Sequence, residues 1–129
     1  MERVTGIGGV FFKARDPKAL AAWYQEHLGI DFGDNVYTGF KWINPHHPTE
    51  PGSTTFSFFD QDTAYLQPSK KEFMINFRVK NLEELLQQLQ KEGVTVVGKM
   101  ENFEYGKFGW VMDPEGNKIE LWEPVDGIF

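Results

Sequence analysis

The chain states one local pattern twice. FKARDPKAL (residues 12–20) lies over FRVKNLEEL (residues 77–85), with the end of a strand followed by a capped helix, position for position. In the first copy Asp16 takes the N-cap and Pro17 the first helical position, where its missing N–H costs nothing. Leu20, Trp23, Tyr24 and Leu28 form the apolar stripe, and Gly29 is the terminator. In the second copy Asn81 caps the helix, with Glu84 three residues on as in a capping box. Leu82, Leu85, Leu86 and Leu89 make its stripe, and Gly93 ends it. Strands are expected over 10–14, 36–43 and 54–59 in the first half, and over 73–79, 94–97, 108–112 and 118–122 in the second. The second half thus reads strand–helix–strand–strand–strand, and the repeat sets the first half, with three of its strands marked, on the same plan. The class is α+β, with two βαβββ modules in tandem, about 1–62 and 70–129, inside one domain.

The second module ends in YGKFGWVMDPEGNKIELWEP (residues 105–124). Asp113 to Asn117 form a tight turn in which Pro114 pre-sets φ and Gly116 supplies a positive one. Alternation then puts Ile119 and Leu121 on one face and Lys118, Glu120 and Trp122 on the other. Glu120 is a carboxylate in mid-strand on an aromatic face. The repeat sets Gly9 against Met74 and Ser57 against Glu120, which places Phe56 and Phe58 in the core beside Ile119 and Leu121. The face shared with Glu120 then carries Phe11, Lys13, Ser57, Phe59, Met74, Asn76, Arg78, Phe108 and Trp110, with Phe40 or Trp42 closing one side. The chain holds 12 Phe and 4 Trp, enough both for a core and for a stacking pocket. An apolar wall with a few polar anchors is the usual make-up of a small-molecule site. Its one acid suits an amine or a planar cation stacked on an aromatic ring.

Each candidate has a plainer reading beside the functional one. Glu120 is either the polar anchor of a pocket or a strand residue on a solvated face, and an ion pair with Arg78 would make it structural. Asn76 either meets a ligand or satisfies a backbone group, and Met74 reads as packing. His46 and His47 fall in NPHHPTEPGS (residues 44–53), a polar, proline-rich loop, and read as solvated; His27, late in its helix, favours the dipole. Trp23 and Tyr24 belong to the helix–sheet core. Residues 60–71 are the least regular stretch and the best candidate linker. Residues 105–108 make either a plain turn or a mobile rim. No spacing suggests a nucleophile with its base.

Bulk properties exclude several classes. A net charge of -6 argues against nucleic acid and against anionic membrane surfaces. The absence of cysteine removes disulfides, thiolate metal sites and a Cys nucleophile together, and fits a cytoplasmic protein. No apolar run is long enough to span a membrane, and the first residues lack a signal-peptide core. TGIGG (residues 5–9) is no dinucleotide loop, because Phe11 stands where a third glycine should and the segment precedes its strand.

A βαβββ repeat carrying FFKARDPKALAAWYQEHLGI and FGWVMDPEGNKIELWEP resembles the vicinal oxygen chelate superfamily over essentially the whole chain. That group includes glyoxalase I, bleomycin-resistance proteins and extradiol dioxygenases. The resemblance implies two modules curving one mixed sheet round a cleft, with helices on the outer face. The modules come from one chain or from two, so a homodimer stays open. Metal-dependent members hold a divalent ion through four positions, which here are Gly9, Ser57, Met74 and Glu120. Only Glu120 is a good ligand. The resemblance thus implies a protein that binds a small aromatic or cationic molecule without a cofactor, as the antibiotic-sequestering members do, a divalent metal staying open. The alternatives are a glyoxalase-type lyase or isomerase using Glu120 as general base or metal ligand, and a structural module with a vestigial cleft.

Overall fold

The computed structural model describes residues 3–125. Seven strands and two helices follow in the order β1 (Val4–Ala14), α1 (Pro17–Leu28), β2 (Tyr37–Asn44), β3 (His47–Asp60), β4 (Phe73–Val79), α2 (Leu82–Lys91), β5 (Glu101–Phe103), β6 (Gly106–Met112) and β7 (Lys118–Pro124). They form one mixed sheet of order β2-β3-β1-β4-β7-β6-β5. β1 and β4 pair antiparallel at the centre, β3 runs parallel to β1, and β7 runs parallel to β4. The two halves therefore repeat one arrangement on either side of the β1–β4 seam. The α+β class and the tandem modules round a curved mixed sheet are what the structure shows. Among the described residues the first half supplies three strands and the second four.

Both helices form for the local reasons the sequence gives. Asp16 accepts from the Ala19 N–H at 3.1 Å, and Gly29 closes α1 in the left-handed region at φ 68. Asn81 Oδ1 accepts from the Glu84 N–H at 3.1 Å, and the Asn81 side-chain Nδ2 donates to the Glu84 carboxylate at 3.2 Å. α2 buries Leu82 and Leu85 against Val79, Val111 and Leu121, with Leu86, Leu89 and Ile119 packed alongside. Beneath α1 the core is Ala14, Ala21, Phe32 and Phe58, with Phe56, Leu20 and Tyr24 against it. Phe58 is 1% exposed, as its expected place in the core requires.

Several expectations need correction. Trp23 and Leu28 are not in the core; they are 50% and 59% exposed. Phe32, returning after the helix, stacks on Phe58 at 5.6 Å, and Tyr24 packs on the same ring, so α1 turns Ala21 inward instead. Residues 44–53 are not a loop. β2 and β3 form a long hairpin, with Trp42 opposite Gly52 and Ile43 opposite Pro51. β1 joins β3 only from Thr55 onward, so the prolines lie where the other side of β3 has no ladder to break. Residues 94–97 are not a strand; Val96 makes an isolated bridge to Val111, and the edge strand is β5. β1 begins well before residue 10, at Val4.

The largest correction concerns residues 60–71. This segment is no open linker. It folds back across the sheet face opposite the helices, and Leu66, 1% exposed, joins Phe11, Met74 and Trp110 in a third apolar cluster. Lys118 Nζ holds it by donating to the Tyr65 carbonyl at 2.6 Å.

Candidate functional site

β7 brings Glu120 up between β4 and β6, opposite Asn76 on one side and Trp110 on the other. The carboxylate is 3% exposed. Asn76 Nδ2 donates to Oε1 at 2.7 Å, Trp110 Nε1 donates to Oε2 at 2.9 Å, and the Tyr65 hydroxyl makes a short hydrogen bond to Oε2. Three donors thus stabilise a buried anion that would otherwise be costly. Burial and the neighbouring Glu120 charge push the Tyr65 phenol well above its ordinary value. Burial pulls the Lys118 ammonium down, with Glu120 and Glu101 opposing it. Lys118 Nζ sits over both the Tyr65 ring, at 5.3 Å, and the Trp110 ring, at 5.5 Å.

β1 prepares the floor by carrying almost no side chains there. Its pairing with β4 shifts register between Ile7 and Gly9, and this bulge turns both Gly8 and Gly9 toward Asn76. A Cβ on Gly8 would come within 2.2 Å of Asn76 Oδ1 and 3.0 Å of both Arg78 Cγ and the Trp122 ring. Gly6 and Gly52 are covered in the same way by the Trp42 ring. The TGIGG segment is therefore glycine-rich because rings and amides lie on its backbone.

A groove of about 550 Å³ opens above this floor, lined by Gly8, Phe11, Tyr37, Thr55, Asn76, Tyr105, Phe108, Glu120 and Trp122. Phe108 and Trp122 lie parallel at 5.9 Å, and Trp122 Nε1 donates to the Tyr105 carbonyl at 3.1 Å. Its walls are largely aromatic, its buried polar side chains are Asn76 and Glu120, and Tyr37, Thr55 and Tyr105 add hydroxyls.

Of the candidate residues, Phe11, Asn76, Phe108 and Glu120 line the groove. Trp110 is buried and reaches it only through its bond to Glu120. Met74 and Ser57 are buried beneath, at 1% and 7% exposure. Phe59 stacks on Phe11 at 5.3 Å and faces a separate, open hollow beside α1. Trp42 and Arg78 belong to another small pocket, where Arg78 lies 5.7 Å from the Trp42 ring and 5.1 Å from the Trp122 ring. The suggested Arg78–Glu120 ion pair does not form; Glu120 takes its bonds from Asn76, Trp110 and Tyr65. Phe40 stays at the exposed edge. Trp122, expected on the Glu120 face, and Tyr105, in the expected turn or rim, also line the groove, whereas Gly8, Tyr37, Thr55 and Tyr65 were not among the candidates. An aromatic–leucine pair inside a polar stretch is the signal for Tyr65, and glycine in mid-strand is the signal for Gly8.

The four positions that carry metal in related proteins do not offer a metal donor set here. Gly9 has no side chain, and a Cβ there would come within 2.5 Å of the Phe11 ring. Met74 is packed among Phe11, Leu66 and Trp110. Glu120 already accepts three hydrogen bonds. No group of three or more His, Cys, Asp or Glu suited to a metal occurs among the described residues.

Two modules joined through their first strands, with the last strand of each alongside, make a fold shared with a solved member of the glyoxalase, bleomycin-resistance and dioxygenase superfamily. The chain belongs to the family described as "Glyoxalase-like domain", whose profile matches residues 9–122. Solved structures share the fold. Methylmalonyl-CoA epimerase from Mycobacterium tuberculosis is similar at 20% identity and TM-score 0.61, over 97% of this chain and 91% of that one. A glyoxalase/bleomycin resistance protein/dioxygenase superfamily member from Vibrio splendidus 12B01 is similar at 13% identity and TM-score 0.56, over 95% and 99%. The Mn(II)-bound glyoxalase from Novosphingobium aromaticivorans is similar at 18% identity and TM-score 0.59, over 98% of this chain and 41% of that one. No curated protein sequence matches the chain.

Proposed function

We propose that this protein binds a small aromatic or cationic molecule in the groove above Gly8, without a catalytic metal. One observation carries the reading: an aromatic-walled groove of about 550 Å³ with two buried polar side chains, Asn76 and the Glu120 carboxylate, in its lining. Flat rings fit between such walls by stacking, and a cation gains from both the ring faces and the acid. Of the four family positions for metal, only Glu120 is a good donor beside Gly9, Ser57 and Met74, which favours a binding protein over a metalloenzyme.

Glu120 as a general base is the second reading. A carboxylate has about four acceptor sites, and three are taken, so a single site on Oε1 is left for a proton from a carbon acid. Calorimetry and thermal shift with planar cations such as acridinium and phenanthridinium separate the readings. One-to-one binding with quenched tryptophan fluorescence is expected. Failure of every planar aromatic to bind, or stoichiometric Mn, Ni, Zn or Fe in protein purified without chelator, would overturn the proposal.

A further inference from the structure

The groove crosses the sheet from β2 to β6, and its two ends differ in chemistry. At the β6 end Tyr105 and Phe108 meet at 67° with their centroids 5.7 Å apart, which makes an aromatic corner. Trp122, 4% exposed and parallel to Phe108, backs that corner from below. At the β2 end the lining is Tyr37 and Thr55. Phe11 lies between, at 8% exposure, with its ring bent over Gly9, where a Cβ would come within 2.5 Å of it. It is therefore floor and no partition, and the two ends form one space. Asn76 and Glu120 are 2% and 3% exposed, so the polar groups offered to an occupant are hydroxyls. Neither the Tyr37 nor the Thr55 hydroxyl bonds to the protein among the described residues. The lining holds no Lys, Arg or His, and its one charged side chain is Glu120.

We infer that the groove takes a two-part ligand: a planar aromatic ring in the corner of Tyr105 and Phe108, joined to a neutral, hydroxyl-bearing arm that crosses Phe11 to Tyr37 and Thr55. An aromatic glycoside is the simplest molecule of that class. The inference rests on the binding role proposed above and names the chemistry of its ligand. In the corner a ring stacks on one wall and meets the other edge-on. A hydroxyl both donates and accepts, so Tyr37 and Thr55 meet the hydroxyls of an arm in either sense. An apolar arm would strip water from both and return no bond. An anionic arm would find no cation in the lining and an acid across the floor.

A matched series tests this: 2-naphthol, 2-naphthyl β-D-glucoside and 2-naphthyl phosphate, titrated into the whole chain by calorimetry. The Trp122 indole N–H resonance, bonded to the Tyr105 carbonyl, reports occupancy of the corner. The glucoside should bind about tenfold more tightly than 2-naphthol, and the phosphate most weakly. Tyr37→Phe combined with Thr55→Val keeps the shape of the β2 end and removes both hydroxyls. The advantage of the glucoside over 2-naphthol should then fall to about twofold or less. Equal binding of glucoside and naphthol to the unmodified chain, with the indole resonance shifted, overturns the inference and leaves the binding role standing. Tightest binding by the phosphate does the same, as does a full glucoside advantage in the folded double variant. No binding by any of the three, with the indole resonance unmoved, overturns the inference and the binding role together. The unmodified chain decides the matter whether or not the variant folds.

Discussion

Asn76 and Glu120 are register partners on β4 and β7, and their side chains are joined at 2.7 Å. The first strand of the second module is thereby clasped to its last. In the first module the corresponding register partners on β1 and β3 are Phe11 and Ser57, with no such clasp between them. The polar site is therefore one-sided, although the scaffold is nearly symmetric.

Removing the acceptor should be far worse than neutralising it. Glu120→Leu strips partners from Asn76, Trp110 and Tyr65 at once, and a loss of roughly 3–5 kcal/mol in urea unfolding is expected. Glu120→Gln keeps an oxygen for Trp110 and Tyr65 and allows Asn76 to turn, so it should lose only about 1 kcal/mol. Equal losses for the two would show that the network does not bear on stability.

Gly8→Ala and Gly39→Ala form a controlled pair. At Gly8 the new Cβ collides with Asn76 Oδ1, Arg78 and Trp122, whereas at Gly39 its nearest neighbour is a carbonyl at 3.9 Å. Gly8→Ala should cost about 1–3 kcal/mol and block the groove, and Gly39→Ala should stay within about 0.5 kcal/mol of the parent. Chemical denaturation and probe binding read both effects.

Leu66→Ala tests whether the segment after β3 is part of the core. At 1% exposure, among Phe11, Met74 and Trp110, its truncation should cost about 2–5 kcal/mol. A loss below about 0.5 kcal/mol would mean that the segment is a loose connection after all.

Tyr65 should give the protein an alkaline weakness. Its native phenol is raised above the ordinary 10.0 by burial first and by Glu120 next. As pH rises past 10 the unfolded chain gives up this proton while the native state keeps it. The stabilisation is whole below pH 10 and declines above it. Partial exposure of the ring weakens the effect, so the expectation is one of direction. Tyr65→Phe should be less stable than the parent at pH 7, through loss of a donor to Glu120, yet lose less between pH 9.5 and 11. Parallel melting-temperature curves for the two proteins across that range would contradict it.

Elements governed by near neighbours were legible in the sequence. The caps Asp16 and Asn81 and the Asp113–Asn117 turn each answer to groups within four residues, and all take the expected form. The alternation of β7 was legible too, since period two fixes the face of Glu120 once Leu121 is buried. What escaped was decided at long range. Pro48 and Pro51 suggest a loop unless one knows that this part of β3 is paired on one side only. Trp23 looks like core until Phe32 takes the space under α1. Tyr65 lies 55 residues from the carboxylate it meets, and nothing local announces the meeting.

The segment that carries Tyr65 and Leu66 fills the concave side from within and belongs to neither module's ladder. It touches the groove through two of that groove's lining residues, Tyr65 bonding to Glu120 and Leu66 packing with Phe11. The sheet fixes where a cavity can be; this connection sets how much of it is left. Trimming or enlarging residues 61–71 is thus the natural way to retune what such a scaffold admits, with the walls left as they stand.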